Sequence, residues 1–461
     1  MSVSRVTHPL LESKVCHQLS WSLVSSMLPA SLINEVLTDC QAWEQREKKI
    51  NMQALVYFIL GLSLFADRGM PEVWRELIEG QQAVGIHLES QVPSASALSQ
   101  RRTQLGVAPM RELFARAVHP LATAATRGAF AFNLRLVAVD GTVDELPDTL
   151  ANRTAFPPDG GTTGSRVPQL RCTLLMECGT HAIFDVQITS IHQGEQQEAM
   201  ILLERSLQAH MLLLWDSGFR DFDLLTLARR KGAHVLGRLP KKQLHHCWAR
   251  LSDGTYLAKV AVNPKSGRGH RMTVRVIEYT LTQPSLAQAS QVYRLVTTLL
   301  DPEQYPAWRL IQLYHERWEI ESSIDEYKTH LRLASHPLRS HTPQGVEQAV
   351  YGLLLVHFLV RALIHLSALQ ADVDPDRLSF THTVGVLRRS LSRFAHTPWQ
   401  KYPALRQQIL EQIRAVRVPV RRLRFQPRVL KRARPKFPPK PLGFRPTRCF
   451  SPPFLDGVRL I

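Results

Sequence analysis

The chain has 461 residues, 44% of them hydrophobic, so it is long enough to form about two to four domains with sizeable cores. It carries 57 Lys and Arg against 39 Asp and Glu, a net charge of +18, which makes a polyanion the expected partner, most commonly nucleic acid. Its six cysteines include no C-x-x-C pair and its first residues no apolar run, which argues against a disulfide-rich secreted protein and predicts a cytoplasmic one.

Residues 1 to about 128 are predicted to form an all-helical N-terminal domain. Short helices are expected in PEVWRELIEG, which begins at Pro71, and in PSASALSQRRTQLG, which begins at Pro93. Two short helices joined by a loop, the second carrying Arg101 and Arg102, suggest a helix-turn-helix-like reader of DNA. The alternative is an ordinary helical bundle with a solvated basic face.

Two apolar segments resemble membrane spans in composition. ALVYFILGLSLFA is too short to cross a bilayer, and GLLLVHFLVRALIHLSAL contains an arginine and two histidines. Both are therefore predicted to be buried helices of a soluble protein, and no membrane partner is expected.

The pattern changes to buried strands at Leu134. LRLVAVD (Leu134 to Asp140) reads as a first strand, a hairpin around Gly179 supplies two more, and MLLLWD (Met211 to Asp216) and HVLGRLP follow, with helices between. The order strand, strand, strand, helix, strand, helix, strand predicts a ribonuclease-H-like α/β sheet, assigned to residues 129–369. Alternating β-branched residues predict a β-rich insertion at about 240–304.

Residues 370–461 are predicted to be helical and then to end in a basic tail. The last 61 residues hold 16 Lys and Arg against 2 Asp and Glu, and Lys431 and Arg432 lie in the densest cluster. So Pro-rich and charged a tail buries little apolar area, so we expect it to be extended and to become ordered on DNA. The alternative is a solvated tail of little function.

Three acidic residues have the positions that a metal-dependent phosphoryl-transfer site requires. Asp140 and Asp216 each end an apolar strand and are followed closely by Gly141 and Gly218, which are expected to let the backbone turn away. The first and fourth strands of such a sheet are neighbours, which would bring the two aspartates side by side, and Glu321 comes from a late helix. Carboxylates from separate elements suit Mg²⁺, which prefers oxygen ligands, and Mn²⁺ is expected to substitute.

Other acidic residues nearby are expected to have no part in the chemistry. Asp144 and Asp148 are assigned to a polar, solvated loop, and Glu319 and Glu326 are expected to lie off the face of the helix that Glu321 occupies.

The segment LYHERWEIESSIDEYKTHLR is predicted to be one helix. Arg317, Glu321 and Lys328 follow Tyr314 at offsets of 3, 7 and 14 residues, which places all four on nearly one face. A core-facing surface would be apolar, whereas one carboxylate, two cations and a phenol suit a metal ion beside a phosphodiester.

This spacing resembles the Y-R-E-K signature of DDE transposases of the insertion sequence 4 family. VAVDGT and WDSGF are similar to the other two catalytic blocks of that family, and the β-rich stretch and the helical N-terminal region also have counterparts there. The departure is Ser217, where a basic residue is frequent. The resemblance implies that Asp140, Asp216 and Glu321 bind metal, and that the terminal phosphates of the cleaved strand contact Tyr314, Arg317 and Lys328.

The resemblance also implies the activity. We expect a transposase of the bacterial cytoplasm, associated with the nucleoid, that acts as a homodimer on double-stranded DNA. It would bind the inverted-repeat ends of its element, hydrolyse phosphodiesters and join the ends to target DNA. The alternatives are a ribonuclease-H-like nuclease that cuts without joining, and a DNA-binding regulator derived from a transposase.

Overall fold

The structure is a computed structural model. The residues that it describes are 27–46, 48–84, 88, 90–159, 167–216, 218, 223–239, 247–262, 270–281, 292–333, 338–420 and 458–460. The basic cluster at Lys431 and Arg432 lies outside the described residues, and so does nearly all of the predicted tail.

The α-helices are, in chain order, α1 Ala30–Asp39, α2 Met52–Leu64, α3 Met70–Val84, α4 Ala95–Leu105, α5 Ala108–Ala117, α6 Leu150–Ala155, α7 Glu195–Ser206, α8 Asp223–Arg230, α9 Ala307–His315, α10 Trp318–Asp325, α11 Pro343–Gln370, α12 Phe380–Ala395 and α13 Tyr402–Arg414. The strands are β1 Phe130–Ala131, β2 Leu134–Glu145, β3 Gln169–Glu177, β4 Ala182–Ser190, β5 Met211–Trp215, β6 His234–Arg238, β7 Cys247–Arg250, β8 Tyr256–Val262, β9 His270–Leu281, β10 Val292–Thr297 and β11 Val458–Leu460.

The chain forms two compact units and passes between them several times. The first unit comprises Met1–Ala129, Val139–Ser206 and Glu319–Val418; the second comprises Phe130–Ala138, Leu207–Trp318 and Pro419–Ile461. The predicted domain boundaries at about residues 128 and 369 stay a prediction.

The first unit is built around the apolar helices α2 and α11, which pack on each other. α11 is long and apolar enough to cross a membrane, but 89% of its most apolar window is buried inside the protein, as in a core helix. Both apolar segments are thus buried helices, as predicted. α4 also forms as predicted: the Ser94 side chain accepts a hydrogen bond from Ala97 N, and Gly106 follows the helix with a φ of 70°.

The first unit also holds the predicted hairpin. β3 pairs with β4 in antiparallel register, and the strand order there is β4-β3-β2. Gly179 turns between the strands with a φ of 84°, and its missing side chain admits the backbone of Ala129. Any Cβ at this position would lie 2.7 Å from Ala129 N, so this turn requires glycine.

The second unit is a mixed sheet in the order β2-β5-β6-β10-β9-β8-β7. β2 is parallel to β5, with Ala138 opposite Leu214, and β5 is parallel to β6. β10 returns antiparallel to β6, and β9, β8 and β7 continue the antiparallel set. The first and fourth predicted strands are neighbours, and four strands form in the predicted insertion. The ribonuclease-H-like fold class is confirmed.

The prediction of one continuous helix around Glu321 was wrong. α9 ends at His315, and the amides of Glu316 and Arg317 bond three residues back, to the carbonyls of Leu313 and Tyr314. α10 then begins at Trp318, and residues 326–331 form a wider π-helical turn. Because tighter and wider turns change the rotation per residue, the four signature residues do not share one helix face. Side-chain spacing alone does not reveal this change of hydrogen-bond pattern.

Candidate active site

Asp140 lies within β2 rather than at its end. The strand continues to Glu145, so the expectation that Gly141 turns the backbone away was wrong. Asp140 is half-buried, and its Oδ1 accepts a hydrogen bond from the amide of Gly141 at 2.8 Å. Gly141 serves a different purpose: a Cβ there would lie 2.0 Å from Oε1 of Glu195. The glycine therefore makes room for a carboxylate that the sequence analysis did not single out.

Lys328 reaches β2 just beyond Asp140. Its Nζ bonds to Thr142 Oγ1 at 3.0 Å and to the carbonyl of Val143, and it lies 3.1 Å from Asp144 Oδ1. The same carboxylate accepts a hydrogen bond from Arg332 at 2.8 Å. Asp144 is only 1% exposed, so its assignment to a solvated loop was wrong. It lies in a strand and is paired with two cations, which is how a buried carboxylate stays charged.

Asp148 was assigned correctly. It lies outside the strand, is exposed, and forms an ion pair with Arg153.

Glu321 lies on the accessible side of α10. Glu319, Ile320 and Ser323 of the same helix are buried, whereas Glu321 is half-buried. The helix thus anchors one side in the core of the first unit and leaves the Glu321 carboxylate within reach of a ligand.

A buried ionic network anchors the segment that carries Glu321. Glu326 bonds to Arg361, whose Nε donates to Glu326 Oε2 at 2.8 Å. His181 lies 3.8 Å from Glu326 and 2.7 Å from Asp376, and Glu319 accepts a hydrogen bond from the amide at the hairpin turn. These are among the glutamates expected to lie off the Glu321 face. They are structural, but buried rather than solvated.

Three members of this network could in principle hold a metal ion, because donor atoms of His181, Glu319 and Asp376 lie within 4.8 Å of one another. Burial and the Arg361 cation lower the pKa of His181, but the carboxylates of Asp376 and Glu326 raise it by more, to about 9. A protonated imidazole has no lone pair left for a metal. The cluster therefore fits an ion-pair network better than a metal site.

In the second unit, three predicted residues lie together. The guanidinium of Arg317 is 3.9 Å from Asp216 Oδ2 and 5.9 Å from the centre of the Tyr314 ring. Arg317 is buried, with a side chain only 5% exposed, while Asp216 is about two-fifths exposed. Burial raises the pKa of Tyr314, so its phenol stays protonated and can donate a hydrogen bond.

The predicted DNA contacts of the N-terminal region are bonded within the protein. Arg101 donates to the carbonyl of Ile50 at 2.7 Å and to Gln104 at 2.6 Å. Arg102 donates to the carbonyl of Gly345, and burial lowers the pKa of its guanidinium to about 10. Both arginines therefore help to hold the first unit together, and their contact with DNA stays a prediction.

Comparison with known sequences identifies the family. A sequence model described as the insertion element 4 transposase N-terminal region matches residues 18–115, and one described as a transposase DDE domain matches residues 132–359. The chain belongs to the insertion sequence 4 family of DDE transposases. It is therefore a DNA transposase, as the signature indicated, and the predicted helical N-terminal region has its own counterpart in the family.

Two relatives of the transposase come from Escherichia coli K12. The transposase InsG for insertion sequence element IS4 is 27% identical over 425 residues, which cover 90% of this chain and 92% of the relative. The putative transposase InsZ is 24% identical, over 50% of this chain and 74% of the relative. Among solved structures, a piggyBac transposase synaptic complex with hairpin DNA aligns over 87% of each chain, with 10% identity and a TM-score of 0.44.

Proposed function

We propose that the transposase binds the inverted-repeat ends of its element, cleaves them by metal-dependent hydrolysis and joins them to target DNA, with Asp140, Asp216 and Glu321 as metal ligands. The observation that carries the assignment of the aspartates is a strand register. Ala138 and Leu214 are Cα partners in parallel strands, and each aspartate stands two residues beyond its partner. Glu321 follows from the signature and from its accessible side of α10.

The donor set fits a hard divalent ion. All three ligands offer carboxylate oxygens, and all three are partly exposed, so each can leave water for an ion. We propose Mg²⁺, with Mn²⁺ as a substitute; when bound, such ions activate water or a 3′-hydroxyl and stabilise the leaving oxygen.

The other signature residues supply what carboxylates cannot. Arg317 carries a charged planar fork in a buried setting, where its interaction with a phosphate is screened little by water. Tyr314 remains neutral, so it would donate a hydrogen bond to a phosphate oxygen without adding charge. Lys328 would contribute a second cation, and its position is held by Asp144. Together these groups would orient the terminal phosphate and offset its charge.

We further propose that the transposase acts as a homodimer on its two ends in the bacterial cytoplasm, associated with the nucleoid. The high positive charge supports binding to DNA, and Arg101, Arg102, Lys431 and Arg432 are the proposed contacts outside the catalytic region.

The test uses the full chain with labelled DNA that carries the ends of the element, a target plasmid and Mg²⁺. Cleavage at the ends followed by joining to the plasmid is expected. Cleavage without joining would replace the proposal with a nuclease. Binding without cleavage in either Mg²⁺ or Mn²⁺ would leave a DNA-binding regulator.

Replacing Asp144 with asparagine is expected to lower end cleavage about tenfold to a hundredfold, the range typical of residues that orient an active-site group. The amide leaves Lys328 and Arg332 facing a neutral group, so the lysine is held less firmly. Cleavage rates would be measured in wild type and in a Lys328→Ala background.

If Asp144 acts through Lys328, its loss should matter much less once the lysine is gone. Equal effects in both backgrounds would instead show a general loss of stability. Asp148→Asn, an exposed carboxylate in the same region, serves as the control and should cleave like wild type.

A further inference from the structure

The contact between Glu195 and Gly141 connects α7 with the strand that carries Asp140. Glu195 is the first residue of α7, and its Oε1 occupies the space where any side chain at position 141 would begin. Its Cδ would lie 3.0 Å from such a Cβ, so the whole carboxylate lies against this glycine. The chain thus gives up a side chain on a central strand, at some cost in packing, and admits a carboxylate there.

Asp140 contacts the same glycine from its own side. Its Oδ1 is 2.8 Å from the Gly141 amide nitrogen. Standard backbone dimensions then place Asp140 Oδ1 and Glu195 Oε1 no more than about 7 Å apart. Two ions about 3.5–4 Å apart, each about 2.1 Å from its oxygen ligands, span ligand oxygens of this separation.

The surroundings of Glu195 supply little compensation for its charge. Within the part of the chain that the structure describes, no side chain forms a hydrogen bond or an ion pair with its carboxylate. The start of α7 provides the partial positive charge of a helix N-terminus, which stabilises a carboxylate only modestly. A half-buried carboxylate beside another is favourable when a cation lies between or near them.

We infer that Glu195 is a fourth carboxylate of the catalytic metal site, beside Asp140, and that Gly141 is glycine because it admits Glu195. This inference rests on the proposed function, since it adds a ligand to the site assigned there.

The test measures metal binding directly. Purified full-length transposase is titrated with Mn²⁺ in the absence of DNA, and free Mn²⁺ is followed by electron paramagnetic resonance. Glu195→Gln is expected to raise the Mn²⁺ dissociation constant about tenfold, as loss of one carboxylate among several would. The Mg²⁺ concentration that gives half-maximal end cleavage should rise by a similar factor.

Two further variants separate a metal ligand from a residue that only begins a helix. Glu195→Asp keeps the charge at the helix start but draws the carboxylate back by one methylene, so a ligand role predicts weaker Mn²⁺ binding and a capping role predicts wild-type binding. Glu204→Gln, an exposed glutamate later in α7, is the control for general charge effects and should bind Mn²⁺ like wild type.

Gly141→Ala tests the space itself. The new methyl group would displace the Glu195 carboxylate, so Mn²⁺ binding should weaken as in Glu195→Gln. In a Glu195→Ala background, the same substitution should weaken binding little further, because the carboxylate it would displace is already gone.

The outcomes distinguish this inference from the proposed function. Wild type that binds no Mn²⁺ and cleaves no DNA in Mg²⁺ or Mn²⁺ would overturn both. Wild type that binds and cleaves, with an unchanged Mn²⁺ dissociation constant in Glu195→Gln, would overturn only the role of Glu195.

Discussion

Asparagine at position 140 or glutamine at position 321 is expected to lower end cleavage by about three orders of magnitude or more while end binding is retained. Each substitution keeps the shape of the side chain and removes the negative charge that holds a divalent ion. Such an ion contributes several kcal/mol of transition-state stabilisation, and each 1.4 kcal/mol or so corresponds to a factor of ten in rate. Cleavage is measured under single-turnover conditions, and end binding by electrophoretic mobility shift.

Matched controls lie on the same elements. Asp325→Asn removes an exposed carboxylate one turn after Glu321 on α10, and Glu145→Gln changes an exposed carboxylate at the end of β2. Both should cleave within a few-fold of wild type. Cleavage by Asp140→Asn at the rate of the controls would remove Asp140 from the site.

Metal removal checks the same assignment independently of mutation. Dialysis against a chelator should abolish cleavage in wild type, and added Mg²⁺ or Mn²⁺ should restore it. Cleavage that persists in the chelator would contradict metal dependence, whatever the variants do.

Much of the fold was predictable because local patterns specify it. The apolar runs at Leu134 and Met211 are buried on both faces of a sheet, which leaves near-continuous hydrophobic stretches in the sequence. Turn residues such as Gly179 and helix caps such as Ser94 carry their own signals. Glu321 was found because the signature spacing around it is specific, even though the helix predicted for it is interrupted.

What the sequence did not reveal depends on contacts between distant segments. Asp144 reads as a loop residue because four polar or acidic positions surround it, but Lys328 and Arg332 pair with it from nearly 190 residues away. Gly141 reads as a turn, because a glycine that makes space for Glu195 looks the same in sequence as one that bends the chain. Only the packed structure distinguishes these roles.

The buried network around Glu326 belongs to the same class of missed features, and it gives the second large prediction. Arg361→Met is expected to destabilise the first unit by about 3–5 kcal/mol, because it leaves the Glu326 carboxylate buried without its main cation. The Arg361 cation, with hydrogen bonds from His181 and His357, outweighs burial and lowers the pKa of Glu326 well below its ordinary value. Urea unfolding, followed by circular dichroism, measures the loss.

The partner substitution decides whether the loss comes from the charge. Glu326→Gln in the Arg361→Met background removes the stranded carboxylate, so the double variant should be more stable than Arg361→Met alone. Arg127→Met breaks an exposed ion pair with Asp372 and should cost no more than about 1 kcal/mol. A double variant less stable than Arg361→Met would show that packing, not charge, dominates at this site.

The same network makes the stability of the transposase depend on pH. The pKa of His181 is raised from its ordinary value of 6.5 to about 9 in the folded protein, so the folded state binds the proton more tightly than the unfolded state does. Its contribution is therefore complete below about pH 6.5 and is lost as the pH rises through about 9. Urea midpoints of wild type should fall over this window, and those of His181→Gln should fall less. Because the network holds the segment that carries Glu321 and Lys328, cleavage should decline with stability in alkaline solution, and a wild-type midpoint that stays flat from pH 6.5 to 9 would contradict the charged histidine.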